Sequence, residues 1–361
     1  MNTSPPSRRR RVLQGAKAAV TALLLVAVYR MVDVEALRGQ FGHLRTGWPW
    51  VLAFLGLLAL NTVLSAAKWG ALLRADGIRL PLRTLVASYL VGSFFNLFLP
   101  SSIGGDVYRI ADVGRRSRRA ANAAASILFD RLTGFLAIAL YGVVAYATAL
   151  RGGWIRPGLG ECLRGAVGGE ARVRGILYAA LPLAAALALA GMLLLLLQAG
   201  WVRRALRLAP RRARPPLEAL ADKVLGSVRA YVGAPRALAA SVVLSFWFQA
   251  DVVLAIYALA RALHVALPLA PFWFFVPFIS LLEMIPVSIF GLGLRDFGYK
   301  AFLLSAGLAA GVPALSTEPR AAAAAAALAV LYLALTVVYV SAGGFVYLAR
   351  SLRGGGYSRA S

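Results

Sequence analysis

Apolar and polar positions fall in long blocks along this chain rather than at the periods of a soluble helix or strand. Apolar runs cover about Val12 to Met31, Trp48 to Lys68, Ala121 to Leu150, Ile176 to Gln198, Ala237 to Leu263 and Ala321 to Ala349. Each approaches or exceeds the roughly 20 residues that a helix needs to cross a bilayer. Trp48-Pro-Trp50 opens the second run as an aromatic interface anchor. The run from Thr84 to Leu99 is shorter, only about 24 Å long as a helix. The pattern predicts an all-α polytopic membrane protein.

Positive residues concentrate in a subset of the connections. Lys68, Arg74, Arg79 and Arg83 oppose a single Asp76, and Arg203, Arg204, Arg207, Arg211, Arg212 and Arg214 crowd the loop 199–236. Basic loops stay on the cytoplasmic side. Both stretches are therefore expected there, with tails at 1–11 and 351–361, and the loop 151–175 outside. Arg115-Arg-Ser-Arg-Arg119 belongs on the cytoplasmic side too. If Thr84 to Leu99 crossed completely, those arginines would lie outside. The conflict disappears if about 84–108 forms a re-entrant hairpin with Pro100 to Gly105 at its tip. Both ends of 264–320 then lie outside, so about 272–312 returns as a second re-entrant hairpin or as two short spans. The expected architecture is about six full spans plus two oppositely oriented re-entrant, broken-helix hairpins. They form one transmembrane domain over 12–350, in the manner of an inverted-repeat transporter. Arg8 to Arg11 precede the first run without a small-residue cleavage site after it, as in an uncleaved signal anchor. Pro215-Pro216 opens an amphipathic surface segment over Leu217 to Tyr231.

Composition narrows the function classes. The chain is 60% hydrophobic, carries a net charge of +25 over 361 residues, and has a mean hydropathy of +0.73. In a soluble protein that charge would suggest nucleic acid. Here it sits in loops between spans, with no separate basic–aromatic module, so no nucleic-acid partner is expected. Cys162 is the sole cysteine, and His43 and His264 are too far apart for a metal cluster. Neither a metal nor a cofactor is expected.

Two stretches share a grammar: Pro100-Ser-Ser-Ile-Gly-Gly-Asp-Val-Tyr-Arg109 and Pro286-Val-Ser-Ile-Phe-Gly-Leu-Gly-Leu-Arg295-Asp296. Each reads Pro-x-Ser-Ile, then glycines, then an arginine nine positions after the proline. Backbone that leaves the helix at membrane depth is tolerated only where protein or water satisfies it. A helix restarting after such a break offers unpaired N–H groups and partial positive charge to an anion. Arg109 and Arg295 are expected in the first turns of those restarted helices, facing a phosphate-bearing lipid headgroup. Asn96, Ser101, Ser102, Gly104, Gly105, Asp106, Ser288, Gly291, Gly293 and Asp296 complete the candidate substrate site. The plainer alternative is a helix–turn–helix connection with glycines at a C-cap and Asp106 as an N-cap. Asp130 and Arg131, adjacent in an apolar run, either join the site or pair with different neighbouring helices. Glu283, before the second break, is a candidate proton carrier or a buried paired carboxyl. Asp251, inside another run, is a weaker candidate of the same kind. The alanines at 321–327 read as small-residue helix packing.

Asn96-Leu-Phe-Leu-Pro-Ser-Ser-Ile-Gly-Gly-Asp-Val-Tyr-Arg109, Asp130-Arg131-Leu-Thr-Gly134 and the Pro286–Asp296 stretch resemble the three motif blocks of the lysylphosphatidylglycerol synthase transmembrane region family, also called flippase-like or UPF0104 proteins. The resemblance covers nearly the whole chain, and its first block is the most specific. It implies a bundle of about eight helices, tied to moving lipids or lipid-linked precursors between leaflets of a bacterial inner membrane. Some relatives carry a cytosolic aminoacyltransferase domain after the bundle. None is expected here, nor is an aminoacyl-lipid synthase activity. Asp296 stands where the family commonly has glutamate, one methylene shorter.

Three function classes follow. A carrier or flippase for an anionic lipid is the expected one, with membrane lipids as partners and both termini cytoplasmic. A non-transporting scaffold or regulator of lipid or envelope synthesis is the alternative. An intramembrane enzyme is disfavoured. Ile103 breaks the Gly-x-Gly-Asp pattern of membrane aspartyl proteases, and Asp130 and Asp251 lack a preceding tyrosine.

Overall fold

The computed structural model describes residues 34–97, 103–151, 231, 233–283, 294–309, 311–315 and 317–352. The expected spans at 12–31 and 176–198, the loops 151–175 and 199–236 for the greater part, the tails apart from 351–352, and residues 98–102 and 284–293 at the two breaks lie outside the described residues. Described are eight α-helices: α1 Val34–Ala75, α2 Leu82–Asn96, α3 Ile103–Ser117, α4 Ala120–Arg151, α5 Pro235–Ala262, α6 Leu269–Glu283, α7 Leu294–Ala309 and α8 Glu318–Leu352. Four helical stretches are long and apolar enough to cross a membrane: Arg45–Ala75, Ala120–Gly142, Pro235–Ala262 and Ala323–Leu352. The chain is thus a multi-pass helical membrane protein. The 15-residue α2 and α3, and α6 and α7 at 15 and 16 residues, are too short to be counted with them.

α1 corrects two expected loops. It runs unbroken for 42 residues, through Pro49 and beyond Lys68. Nothing between Val34 and Gly47 breaks a helix strongly, and Leu37, Arg38, Gln40 and Leu44 favour one. It ends at a turn where Gly77 takes φ +75° and Ile78 donates its N–H to the Leu73 carbonyl (2.8 Å). Tyr231 is likewise not on the surface. It is fully buried, its ring lies 4.3 Å from that of Phe129, and its hydroxyl donates to Asp76 Oδ2 (2.6 Å). Burial, with that hydrogen bond adding to it, pushes the hydroxyl far above the ordinary tyrosine value, which keeps it a donor.

α2 and α3 lie antiparallel. Ser88 meets Asp112, Gly92 backs onto Gly105, and Asn96 meets Gly105 in turn. Arg119, just past α3, donates to the Asp76 carbonyl just before α2 (3.1 Å), so the pair starts and finishes at one end of the molecule. The basic run 115–119 is therefore not a separate loop: α3 carries it as far as Ser117.

α1 and α5 are also antiparallel. Gly47 packs on Ala262, Trp50 on Tyr257 (6.0 Å between rings), and Lys68 stands over Phe248. The packing has a two-fold regularity when α1, α2, α3 and α4 are exchanged for α5, α6, α7 and α8. α2 packs on α3 as α6 on α7, α2 on α8 as α6 on α4, and α1 on α4 as α5 on α8. Phe272 and Phe275 of α6 close on Phe302 of α7 at 5.0 and 4.8 Å. Gly343 and Gly344 let α8 seat on α2, against the Leu90 carbonyl and the Phe94 ring.

A buried ion-pair cluster at the first helical pair

α3 places Asp106 in its first turn and Arg109 one turn further in, not in the first turn as expected. The i, i+3 spacing aligns the two on one face, and Arg109 Nη2 donates to Asp106 Oδ1. α4 brings Asp130 and Arg131 to the same place. Arg131 donates to Asp106 Oδ2 from Nε (3.1 Å) and Nη2 (2.7 Å). Asp130 Oδ2 accepts from the Tyr89 hydroxyl of α2 (2.8 Å) and lies 3.8 Å from Arg109 Nη1. Lys68 of α1 completes the cluster, 3.0 Å from Asp130 Oδ1, and donates to the Asp130 carbonyl (3.1 Å). Asp130 and Arg131 thus serve one cluster despite pointing in different directions.

Aromatic rings close the floor. The Arg109 guanidinium stacks 4.2 Å from the Tyr89 ring centre and 5.5 Å from Trp69, whose indole N–H donates to Ser126 (2.9 Å). Arg109 is 6% exposed and Lys68 7%, while the Arg131 side chain is 32% exposed. The cluster is closed at Arg109 and open at Arg131. Arg109 Nη1 is buried without a hydrogen bond. A buried donor left in that state is costly, so it marks a place where a further acceptor would be stabilised.

The glycines bring the helices close rather than form a tip. A Cβ on Gly105 would stand 2.5 Å from the Gly92 carbonyl oxygen and 2.7 Å from Asn96 Oδ1. Asn96 Oδ1 accepts the Gly105 N–H (2.6 Å), satisfying one of the free amides of the α3 N-terminus from across the pair. Gly104 is half-buried in the same turn. Ser101, Ser102, Ser288, Gly291 and Gly293 lie outside the described residues. Glu283, Arg295 and Asp296 are described only as backbone, at the end of α6 and in the first turn of α7.

Four participants escape the motif reading: Lys68, Tyr89, Asp112 and Arg350. Asp112, fully buried, accepts from Ser88, from Arg116 Nε (3.1 Å), and pairs with Arg350 Nη1 (3.6 Å). It ties the end of α8 to α2 and α3. The signal available for Lys68 is its register with Asn61 and Ser65, a polar stripe at i, i+4 and i+7 on an apolar helix.

A sequence model described as Lysylphosphatidylglycerol synthase TM region matches residues 15–344. No curated protein and no solved structure matches the chain.

Proposed function

The chain belongs to the lysylphosphatidylglycerol synthase transmembrane region family, and from that premise we propose that it is a carrier moving an anionic lipid or lipid-linked intermediate between the leaflets of the cell membrane. The observation that carries this reading is Arg109: a buried guanidinium beside a helix break, held by Asp106 and Tyr89, with an Nη1 that makes no hydrogen bond and only a 3.8 Å ion pair with Asp130. A phosphate oxygen suits that donor, because charge-assisted guanidinium–phosphate hydrogen bonds are strong and directional. Lys68 adds a second buried cation, and the exposed side of Arg131 offers an approach. No catalytic role is part of the proposal.

The membrane arrangement is supported by charge. Arg74, Arg115, Arg116, Arg119, Arg236 and Arg350 gather at the end where α1 and α8 finish and where α4 and α5 begin. By the basic-loop rule that end is cytoplasmic, with both termini on that side. α2 and α3 then form a re-entrant hairpin from the cytoplasm. α6 and α7 follow the opposite end of the antiparallel α1–α5 pair and enter from outside. The two-fold regularity of the packing supports an inverted repeat, in which substrate sits near the bilayer midplane between the broken helices.

The test is mass spectrometry of lipids retained by the purified protein, for wild type, Arg109→Ala and Arg295→Ala. A specific anionic lipid held by wild type and lost from both variants is the expected result, and its identity names the substrate for liposome assays. Bulk lipid with no difference among the three would sink the headgroup site and leave the ion pairs the structural role that a scaffold protein would give them.

A further inference from the structure

The cluster does not end at Lys68. On α1 the same face continues through Ser65 to Asn61, and on α5 Ser241, Ser245 and Gln249 share a face at i, i+4 and i+8. Ser241 shares a 2.9 Å hydrogen bond with Thr133 of α4, whose hydroxyl also reaches the Asp130 carbonyl at 3.1 Å. Ser65, Ser241, Ser245 and Gln249 are all buried. A polar seam therefore leaves the ion-pair cluster and runs into the apolar middle of the bundle between α1, α4 and α5. Ser245 Oγ and Gln249 Nε2 have no hydrogen-bond partner.

Asp251 stands at the far end, near the middle of α5 and 4% exposed. Asn61 lies beside it, yet neither carboxylate oxygen has a hydrogen bond of proper geometry. Among the described residues, few titratable groups are brought toward α5. α1 has no charge between Trp48 and Ala67, and Lys68 lies roughly 10 Å along the helix from Asn61. α4 offers Tyr141, with Asp130 and Arg131 at the cluster end, and α6 carries Glu283 in its last turn. α8 has no charge between Arg320 and Arg350 and offers Tyr332 and Tyr339. Among the described residues no cation pairs with this buried carboxyl, and an ionisable group so placed inside an apolar helix marks a functional site.

We propose that Asp251 is a proton-binding site of the transport cycle, taking up a proton as the cluster at Arg109 exchanges its anionic headgroup. This rests on the carrier reading above. The chemistry is a single balanced step: the carboxylate accepts a proton from hydronium, leaving water, and release reverses it. Protonation turns an acceptor-only group into one that also donates, so Asn61 faces a different partner in each state. A proton is favoured over a metal cation because, among the described residues, no group of His, Cys, Asp and Glu side chains is gathered that could hold a metal ion.

Infrared difference spectroscopy of the full chain in liposomes, between about pH 5 and about pH 9, reads this directly. Wild type is expected to give a carboxylic C=O band that is lost at the alkaline end. The band disappears in Asp251→Asn, persists with a shifted position in Asp251→Glu, and titrates at a different pH in Asn61→Ala. Replacing phosphatidylcholine by phosphatidylglycerol moves the titration in wild type but not in Arg109→Ala. Identical wild-type and Asp251→Asn spectra, or a band present at both ends of the range, would overturn the proposal. If Arg109→Ala loses bound lipid while Asp251 never titrates, the carrier reading stands and the proton site falls. If Asp251 titrates while lipid retention ignores Arg109, the proton site stands and the headgroup site falls.

Discussion

Lys68 and Asp130 pair in a buried setting, where the attraction of two charges is offset by the cost of taking both from water. Removing one partner strands the other. Lys68→Met and Asp130→Leu alone are each expected to cost about 3–5 kcal/mol, while the double variant costs far less than their sum. Thermal unfolding of the four proteins in detergent measures this coupling, and additive effects would show that the pair is not energetically linked. At this scale the sequence was informative where a charge interrupts an apolar run: Asp106, Arg109, Asp130 and Arg131 all meet. Lys68 was hidden because a lysine at the end of an apolar run looks like a topology determinant, and the helix continuing beyond it is what buries it. Tyr89 was hidden because, in an apolar helix, nothing distinguishes a tyrosine that binds a carboxylate from one that fills space.

Between elements, close approach of backbones decides the geometry of the cluster. α2 can bring Tyr89 against Arg109 only if Gly92 and Gly105 let the two helices touch. Gly105→Ala is expected to cost about 1–3 kcal/mol and to weaken lipid retention, because the atom it meets is a backbone carbonyl that cannot turn aside. Gly56→Ala is the control: a Cβ there meets nothing within 4 Å, and the helix gains up to about 1 kcal/mol. Thermal shift and retained-lipid measurements on both variants separate the effects, and equal behaviour would contradict the packing described. The paired Pro-x-Ser-Ile stretches fall between the members of two pairs of short helices, α2 with α3 and α6 with α7. Helix ends were less legible, since hydropathy reports where lipid lies and not where hydrogen bonding stops. That is why α1 extends beyond both ends of its apolar run, and why α3 takes up arginines that read as a loop.

Over the whole molecule, the arginines and the antiparallel α1–α5 contact bear on one question, the side of the membrane on which the ends of each short helical pair lie. The basic end holds Arg119 against Asp76 and Arg350 against Asp112, so α2 and α3 begin and end there. The turn after α5, where His264 and Thr46 share a 3.0 Å hydrogen bond, is at the other end. In a Cys162→Ser background, Ser117→Cys and Leu208→Cys are expected to react with a membrane-impermeant thiol reagent only from the cytoplasm, and Ala266→Cys only from outside. Labelling at 117 from outside would mean that α2 and α3 together cross the bilayer. The basic run would then lie on the wrong side of its own charge rule, and the proposed inverted repeat would lose its first half. Labelling of 117 and 266 from the same side would break the antiparallel frame itself, because α5 begins beside the end of α1, finishes just before 266, and is long enough to cross.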